Sequence, residues 1–160
     1  EGHETALAQL AALGTGRIVL LRAAKVERYY FDSHVLEPAF YRKRLAEGLQ
    51  QARCTRMPEV CIQPRFKPFV EDELDAWFGG QARLLADPSG RARLREALGV
   101  PEKGKRALLA VGPEGGWTAY ERDKLQEQGF RLFGMGRRIL RTDTVVVGLV
   151  SMLAEALAQQ

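Results

Sequence analysis

Residues 107–136 read ALLAVGPEGGWTAYERDKLQEQGFRLFGMG. An apolar run, 107–111, leads straight into Gly-Pro-Glu-Gly-Gly. A short apolar run bounded by turn residues is a buried strand. Thr118, with Glu121 behind it, forms a capping box that starts a helix, and Gly129 supplies its stop. RLFGM, 131–135, reads as the next strand. Strand, glycine loop, helix and strand make a βα unit, and units of this kind build a parallel sheet covered by helices.

The same alternation runs outward to both ends. Residues 4–13 are helical in pattern and Gly14 closes them. RIVLL, 17–21, is a buried strand. Pro38 suits the first turn of a helix over 37–53, on which Tyr41, Leu45, Leu49 and Ala52 share one face. EVCIQ, 59–63, and ARLLA, 82–86, are strands, separated by a helix over 70–78 that Gly79-Gly80 closes. A brief basic helix is expected over 90–98, and a last helix from Asp143 to the C-terminus. The chain opens on a helix where a βα unit opens on a strand, so a first strand is expected to be missing.

Composition narrows the classes. A chain of 160 residues suits one domain. The net charge of +4 and pI near 9.3 are compatible with nucleic acid. Val145 to Ala154 is the longest apolar stretch and is too short to span a bilayer. The opening EGHETALAQL is acidic and unlike a signal peptide. Cys54, Cys61, His3 and His34 show no zinc-ligand spacing, so no metal is expected. The two cysteines read as idle thiols in a reducing cytoplasm.

Two glycine loops stand at the ends of strands expected to be neighbours: 112–116, and GMGRRILRTDT over 134–144. Ligands of open parallel sheets bind outside such strand ends, where glycine lets the backbone approach closely. Neither loop is a nucleotide fingerprint. Trp117 follows Gly116 where a P-loop needs Lys and Ser/Thr. Gly134-Met135-Gly136 lacks the third glycine of a dinucleotide site and the acidic ribose clamp about twenty residues on.

These segments, VGPEGGW and ERDKLQEQGFRLFGMGRRILRTDTVVVGLVSMLAEAL, resemble the C-terminal half of the RsmE family of SPOUT (trefoil-knot) methyltransferases. Upstream, GLQQARCTRMPEV resembles that family's Glu-Gln-x-x-Arg-x-x-x-Pro-Glu-Val segment. Met135 stands where the family has Leu, Asp143 where it has Glu, and Gln50 where it has Glu. The resemblance implies a SPOUT methyltransferase domain over 1–160: α/β, a parallel sheet flanked by helices, a C-terminal trefoil knot, the first strand missing and the family's N-terminal PUA-like RNA-binding domain absent.

It also implies S-adenosylmethionine as cofactor, ribosomal RNA or the assembled small subunit as partner, and methylation of uridine N3 in the decoding region of 16S RNA. Another RNA position, such as a ribose 2′-hydroxyl, and a non-catalytic RNA-binding relic are the competing readings. The cofactor would lie between Val111, Gly112, Pro113, Glu114, Gly115 and Gly116 on one side and Gly134, Met135, Gly136, Ile139, Leu140 and Thr144 on the other. Arg141 would stabilise charge developing on the uracil, with Glu114 or Asp143 assisting as base. The residues alone leave Arg141 open to a structural ion pair with Asp143, and Glu114 to a place at the positive end of the next helix. Arg137 and Arg138 would hold RNA phosphates, and Gln51, Arg53 and Arg56 either touch RNA or hold a helix end. Trp117 is expected to be buried. Gly148, Ser151 and Ala154 would let the last helix pack closely against a second subunit, giving a homodimer.

Overall fold

The structure, a computed structural model, describes residues 2–100, 105–136 and 141–158, without the side chains of residues 2–5. Its α-helices of five or more residues are α1 (Gly2–Ala12), α2 (Pro38–Ala52), α3 (Leu74–Phe78), α4 (Leu94–Leu98), α5 (Ala119–Glu127) and α6 (Thr142–Ala158). Its strands are β1 (Arg17–Leu21), β2 (Glu59–Gln63), β3 (Ala82–Ala86), β4 (Ala107–Val111) and β5 (Arg131–Phe133). All pairing is parallel, as repeated βα units require.

The strands form two sheets. One is β1–β2, with Ile18 opposite Val60. The other has the order β4–β3–β5, with Leu84 opposite both Leu109 and Arg131. The two glycine loops therefore do not leave neighbouring strands, because β3 lies between β4 and β5. Strand order is set by which crossover helix packs on which face, and no local pattern carries that.

Alternation along β3 divides the apolar interior. Leu84 faces one cluster with Leu94, Leu98, Phe133, Leu149 and Leu153, under α4 and α6. Leu85 faces the other, with Phe69, Val70, Leu74, Phe78, Trp117 and Leu125. A third cluster sets Leu7 and Ala11 of α1 against Tyr41, Leu45 and Leu49 of α2 and Ile18 of β1. Gly48 lets the two helices cross, since a Cβ there would lie 1.9 Å from the carbonyl oxygen of Ala8.

β1 and β4 each keep one edge unpaired, and both line a cavity of about 1220 Å³. Their apolar runs are consequently half-buried except at Ile18, whereas Leu84, Leu85 and Ala86 of β3 are buried.

Several elements differ from the sequence pattern. The helix expected from residue 70 begins earlier, as a helical turn Phe66–Pro68 and a π-helical stretch Phe69–Glu73. Pro68 is tolerated there because N–H groups of a first turn have no helical partner. The helix expected over 90–98 is confined to 94–98. Ahead of it Asp87 organises a turn, accepting from the backbone N–H of Ser89 (2.9 Å) and from its hydroxyl. Strand β5 stops at Phe133 because the N–H of Gly134 turns to the carbonyl of Ala92 at 3.0 Å. Ala52 is exposed, not on the buried face: Arg53 adopts a left-handed conformation, φ 52°, and the chain turns away. The expected knot depends on residues 137–140, which lie outside the described residues.

Candidate functional site

The cavity beside β4 reaches the first glycine loop. Val111, Gly112, Pro113, Glu114 and Gly115 line it, and Arg141, Thr142 and Asp143 at the start of α6 line it as well. The Thr142 hydroxyl donates to the carbonyl of Gly112 at 3.4 Å and so ties the two segments together. The loop closes on itself through the Gly116 N–H, which donates to the Pro113 carbonyl at 2.8 Å. Gly116 has φ 72°, a backbone that L side chains avoid.

Buried Trp117 forms the loop's footing. A Cβ on Gly112 would lie 3.1 Å from the indole nitrogen, so glycine allows the loop to lie flat on the ring. That nitrogen has no hydrogen-bond partner among the described residues.

A second support comes from across the cavity. The backbone N–H of Ala24, just beyond β1, donates at 2.6 Å to Glu121 of α5. Glu121 is 2 % exposed and also accepts from the N–H and hydroxyl of Thr118, at 2.9 and 3.0 Å. The capping box read from the sequence is present, and its carboxylate has this further duty. Beside it the Lys25 ammonium donates to the carbonyl of Gly115 at 2.8 Å. Residues 24–25 thus clamp the loop to the other sheet. Neither Lys25 nor Glu121 stood out as a site residue in the sequence, because their partners are 90 and 97 positions away.

The expected site residues divide. Arg141 is exposed, with its Nε 3.6 Å from Asp143 Oδ1, which also accepts from the Thr144 N–H at 2.8 Å. Glu114 is exposed at the cavity and adds to the negative surroundings of Tyr29. The Tyr29 phenol is held above its ordinary pKa, first by a hydrogen bond with Glu27 and then by that carboxylate's charge.

Gly116, Gly134, Met135, Gly136 and Thr144 are not part of the cavity wall. Met135 packs instead in the cluster under α6, and Gly134 lies against Gly90, where a Cβ on Gly90 would come within 2.2 Å of the Phe133 carbonyl carbon. The shift has a topological cause: β3 and its Asp87–Gly90 turn stand between β5 and β4. Ile139 and Leu140, like Arg137 and Arg138, lie outside the described residues. Gln51 and Arg53 are exposed at the end of α2, and Arg56 reaches the cavity rim.

Cys54 and Cys61 are both free. Among the described residues no helix is long and apolar enough to cross a membrane, and no cluster of His, Cys, Asp and Glu is placed to hold a metal.

A family profile described as an RNA methyltransferase domain matches residues 1–154. The chain belongs to the RNA methyltransferase family. This methyltransferase domain is 29 % identical over 145 residues to ribosomal RNA small subunit methyltransferase E of Treponema pallidum, covering 86 % of the chain and 52 % of that protein. It is 24 % identical over 139 residues to ribosomal RNA small subunit methyltransferase E 1 of Borreliella burgdorferi, covering 87 % and 56 %. The domain therefore spans about half the length of the curated relatives it matches. Its fold is that of ribosomal RNA small subunit methyltransferase E from Neisseria gonorrhoeae, solved bound to S-adenosyl methionine (TM-score 0.75, 20 % identity, 96 % of this chain and 60 % of that one). A Legionella pneumophila protein solved with bound SAM is equally similar (TM-score 0.78, 21 % identity, 98 % and 62 %).

Proposed function

We propose that the chain is the catalytic domain of an S-adenosylmethionine-dependent enzyme that methylates uridine N3 in the decoding region of small-subunit ribosomal RNA. The observation that carries the reading is the cavity closed by the 111–115 loop and the start of α6, in a chain of the RNA methyltransferase family. The names of the relatives support the ribosomal RNA class, and the resemblance drawn from the sequence motifs supplies the uridine N3.

The residues present fit the cofactor. It carries an amino-acid end, an adenosine and a cationic sulfur, and no phosphate. The loop has no phosphate-binding Lys-Ser/Thr pair; it offers backbone groups and apolar walls. Val111 to Gly115, Trp117 and the Thr142–Asp143 segment would hold it. When bound, the cofactor supplies an electrophilic methyl group.

The chain's own residues have two further tasks. The N3 proton of uridine must leave as the methyl arrives, and negative charge develops on the uracil oxygens. Arg141, exposed at the cavity and only 3.6 Å from one carboxylate oxygen, can turn its planar guanidinium to such an oxygen. Of the carboxylates that line the cavity, Glu114 and Asp143, on the loop and beside Arg141, are the ones assigned to take the proton. Exposed Arg53 and Arg56 are assigned to RNA phosphates, and the outward Ser151, Met152 and Ala154 of α6 to a homodimer contact. The reaction belongs in a reducing cytoplasm, which the free thiols suit.

Calorimetric titration of the chain with S-adenosylmethionine tests the reading. One site per chain is expected, lost in Gly115→Val, because even a Cβ there would lie 3.0 Å from the Lys25 side chain. Nucleoside analysis of methylated RNA then identifies the position; 2′-O-methyl product would replace the N3 assignment.

A further inference from the structure

A smaller cavity, of about 470 Å³, opens on the other side of the Ala24–Glu121 staple. The chain just after β1, the turn at Phe66–Lys67 and the first turn of α5 surround it. Its floor is apolar, from Ala23, Val26 and half-buried Phe66. Its rim carries Arg22, Arg28 and Lys67, all exposed.

Some cations of the chain are neutralised by a carboxylate, whereas Arg22 only lies over the Phe31 ring, 5.8 Å from its centroid. Arg17, Arg83 and Arg122 each have a carboxylate within 4 Å. Among the described residues no carboxylate is within ion-pair reach of Arg22, Arg28 or Lys67. The one acid in the wall, Glu121, is buried and already accepts from Ala24 and Thr118. Three like charges around one opening repel each other and gain from a polyanion. Next to them Tyr120, 51 % exposed, presents a large aromatic ring. Cations flanking an exposed aromatic are the chemistry of a single-stranded nucleic-acid groove. The position suits a reactive strand, because Lys25, between the cavity-lining Ala24 and Val26, holds the cofactor loop at Gly115.

We propose that this cavity grips the RNA strand beside the target nucleotide, with Arg22, Arg28 and Lys67 on phosphates and Tyr120 stacked on a base. The inference rests on the RNA-methylating reading above and adds a binding site on the β1 side of the clamp. A free anion would satisfy the cations but make no use of the exposed Tyr120 ring, whose neighbour is the Lys124 ammonium 6.0 Å from its centroid, whereas a strand of nucleotides uses both.

The test is fluorescence anisotropy of the whole chain with a labelled oligouridylate at several salt concentrations, beside calorimetry with S-adenosylmethionine. The variants are a triple change (Arg22→Ala, Arg28→Ala, Lys67→Ala), Tyr120→Ala, Tyr120→Phe, and a control pair on the exposed face of α2 (Arg42→Ala, Lys43→Ala). The triple change is expected to weaken RNA binding at least about tenfold. It should also flatten the log–log salt slope by about 2, for three phosphates at about 0.7 each on a single strand. Tyr120→Ala should lose about tenfold and Tyr120→Phe nothing, since stacking needs only the ring. Cofactor binding should be unchanged in all of them, which shows that they fold. If the triple variant keeps wild-type affinity and slope, or loses no more than the control pair, this cavity is not the RNA site and the methyltransferase reading stands. If the wild-type chain binds S-adenosylmethionine but no RNA at any salt, the RNA reading fails for this chain and the inference falls with it.

Discussion

Replacing Glu121 by alanine tests whether one carboxylate holds the two sheets in register at the site. Its Oε1 accepts from Ala24 N–H at 2.6 Å, and its Oε2 from the Thr118 N–H and hydroxyl at 2.9 and 3.0 Å. Hydrogen bonds to a charged group contribute about 1.5–3 kcal/mol each. The Ala24 residue is exposed, so water recovers most of that bond. The Thr118 hydroxyl still caps α5 through the residue-121 N–H, 3.2 Å away, so only half of the capping box is lost. The net loss is then about 2–4 kcal/mol, well below the sum of three charged bonds. For a chain of this length that lowers Tm by about 5–15 °C. Urea unfolding gives the number directly, with Glu121→Gln, which keeps one acceptor oxygen, losing about half as much. Freed of the staple, residues 24–25 should also release Gly115, so S-adenosylmethionine affinity should fall with stability. A loss below about 0.5 kcal/mol, the range of a surface change, would refute the clamp.

Other outcomes follow from close contacts and charges. Gly48→Ala, whose Cβ would meet the Ala8 carbonyl oxygen at 1.9 Å, should push α1 from α2 and cost about 1–3 kcal/mol in urea unfolding despite alanine's better helix propensity. Gly90→Ala meets the backbone of Phe133 and Gly134 within 2.6 Å and should cost a similar about 1–3 kcal/mol. Arg53→Gly should raise stability by about 0.5–1 kcal/mol, because the left-handed position favours glycine, while weakening RNA binding in a salt-dependent assay. Arg141→Ala should leave cofactor binding intact and lower the methyl-transfer rate about 10²–10³-fold in single-turnover assays; an unchanged rate would remove Arg141 from the reaction.

Elements were legible where local chemistry decides them. RIVLL, ARLLA and ALLAV are strands because each is a short apolar run between turn residues, and all three bounds agree with the structure. Thr118 and Glu121 announce the start of α5 because a capping box is closed within one turn. Gly14 and Gly129 end their helices with φ of 81° and 83°. The site was legible by half. Val111–Gly115 and Arg141 meet at one cavity, but Met135 does not, because its strand is separated from β4 by β3. Spacing along the chain holds no record of that order, nor of Lys25 reaching Gly115 or Glu121 reaching Ala24. The Asp87–Gly90 turn was hidden by the basic residues behind it, which resemble a helix until Gly90 has to fit against Phe133.

The open edges of β1 and β4 bear on how the molecule comes apart. Among the described residues no ladder joins the two sheets, so the α1–α2–β1–β2 cluster and the β3-centred clusters share side-chain packing and a few clamps but no continuous hydrogen-bonded spine. Units joined in this way exchange their amide protons at separate free energies. β3, paired on both sides, should be the last strand to lose protection, and the free edges of β1 and β4 among the first. The 111–116 loop, proposed to hold the cofactor, hangs from one of those edges. A ligand that bound there only while the clamps were made would lend the seam a cohesion that the sheets themselves do not supply.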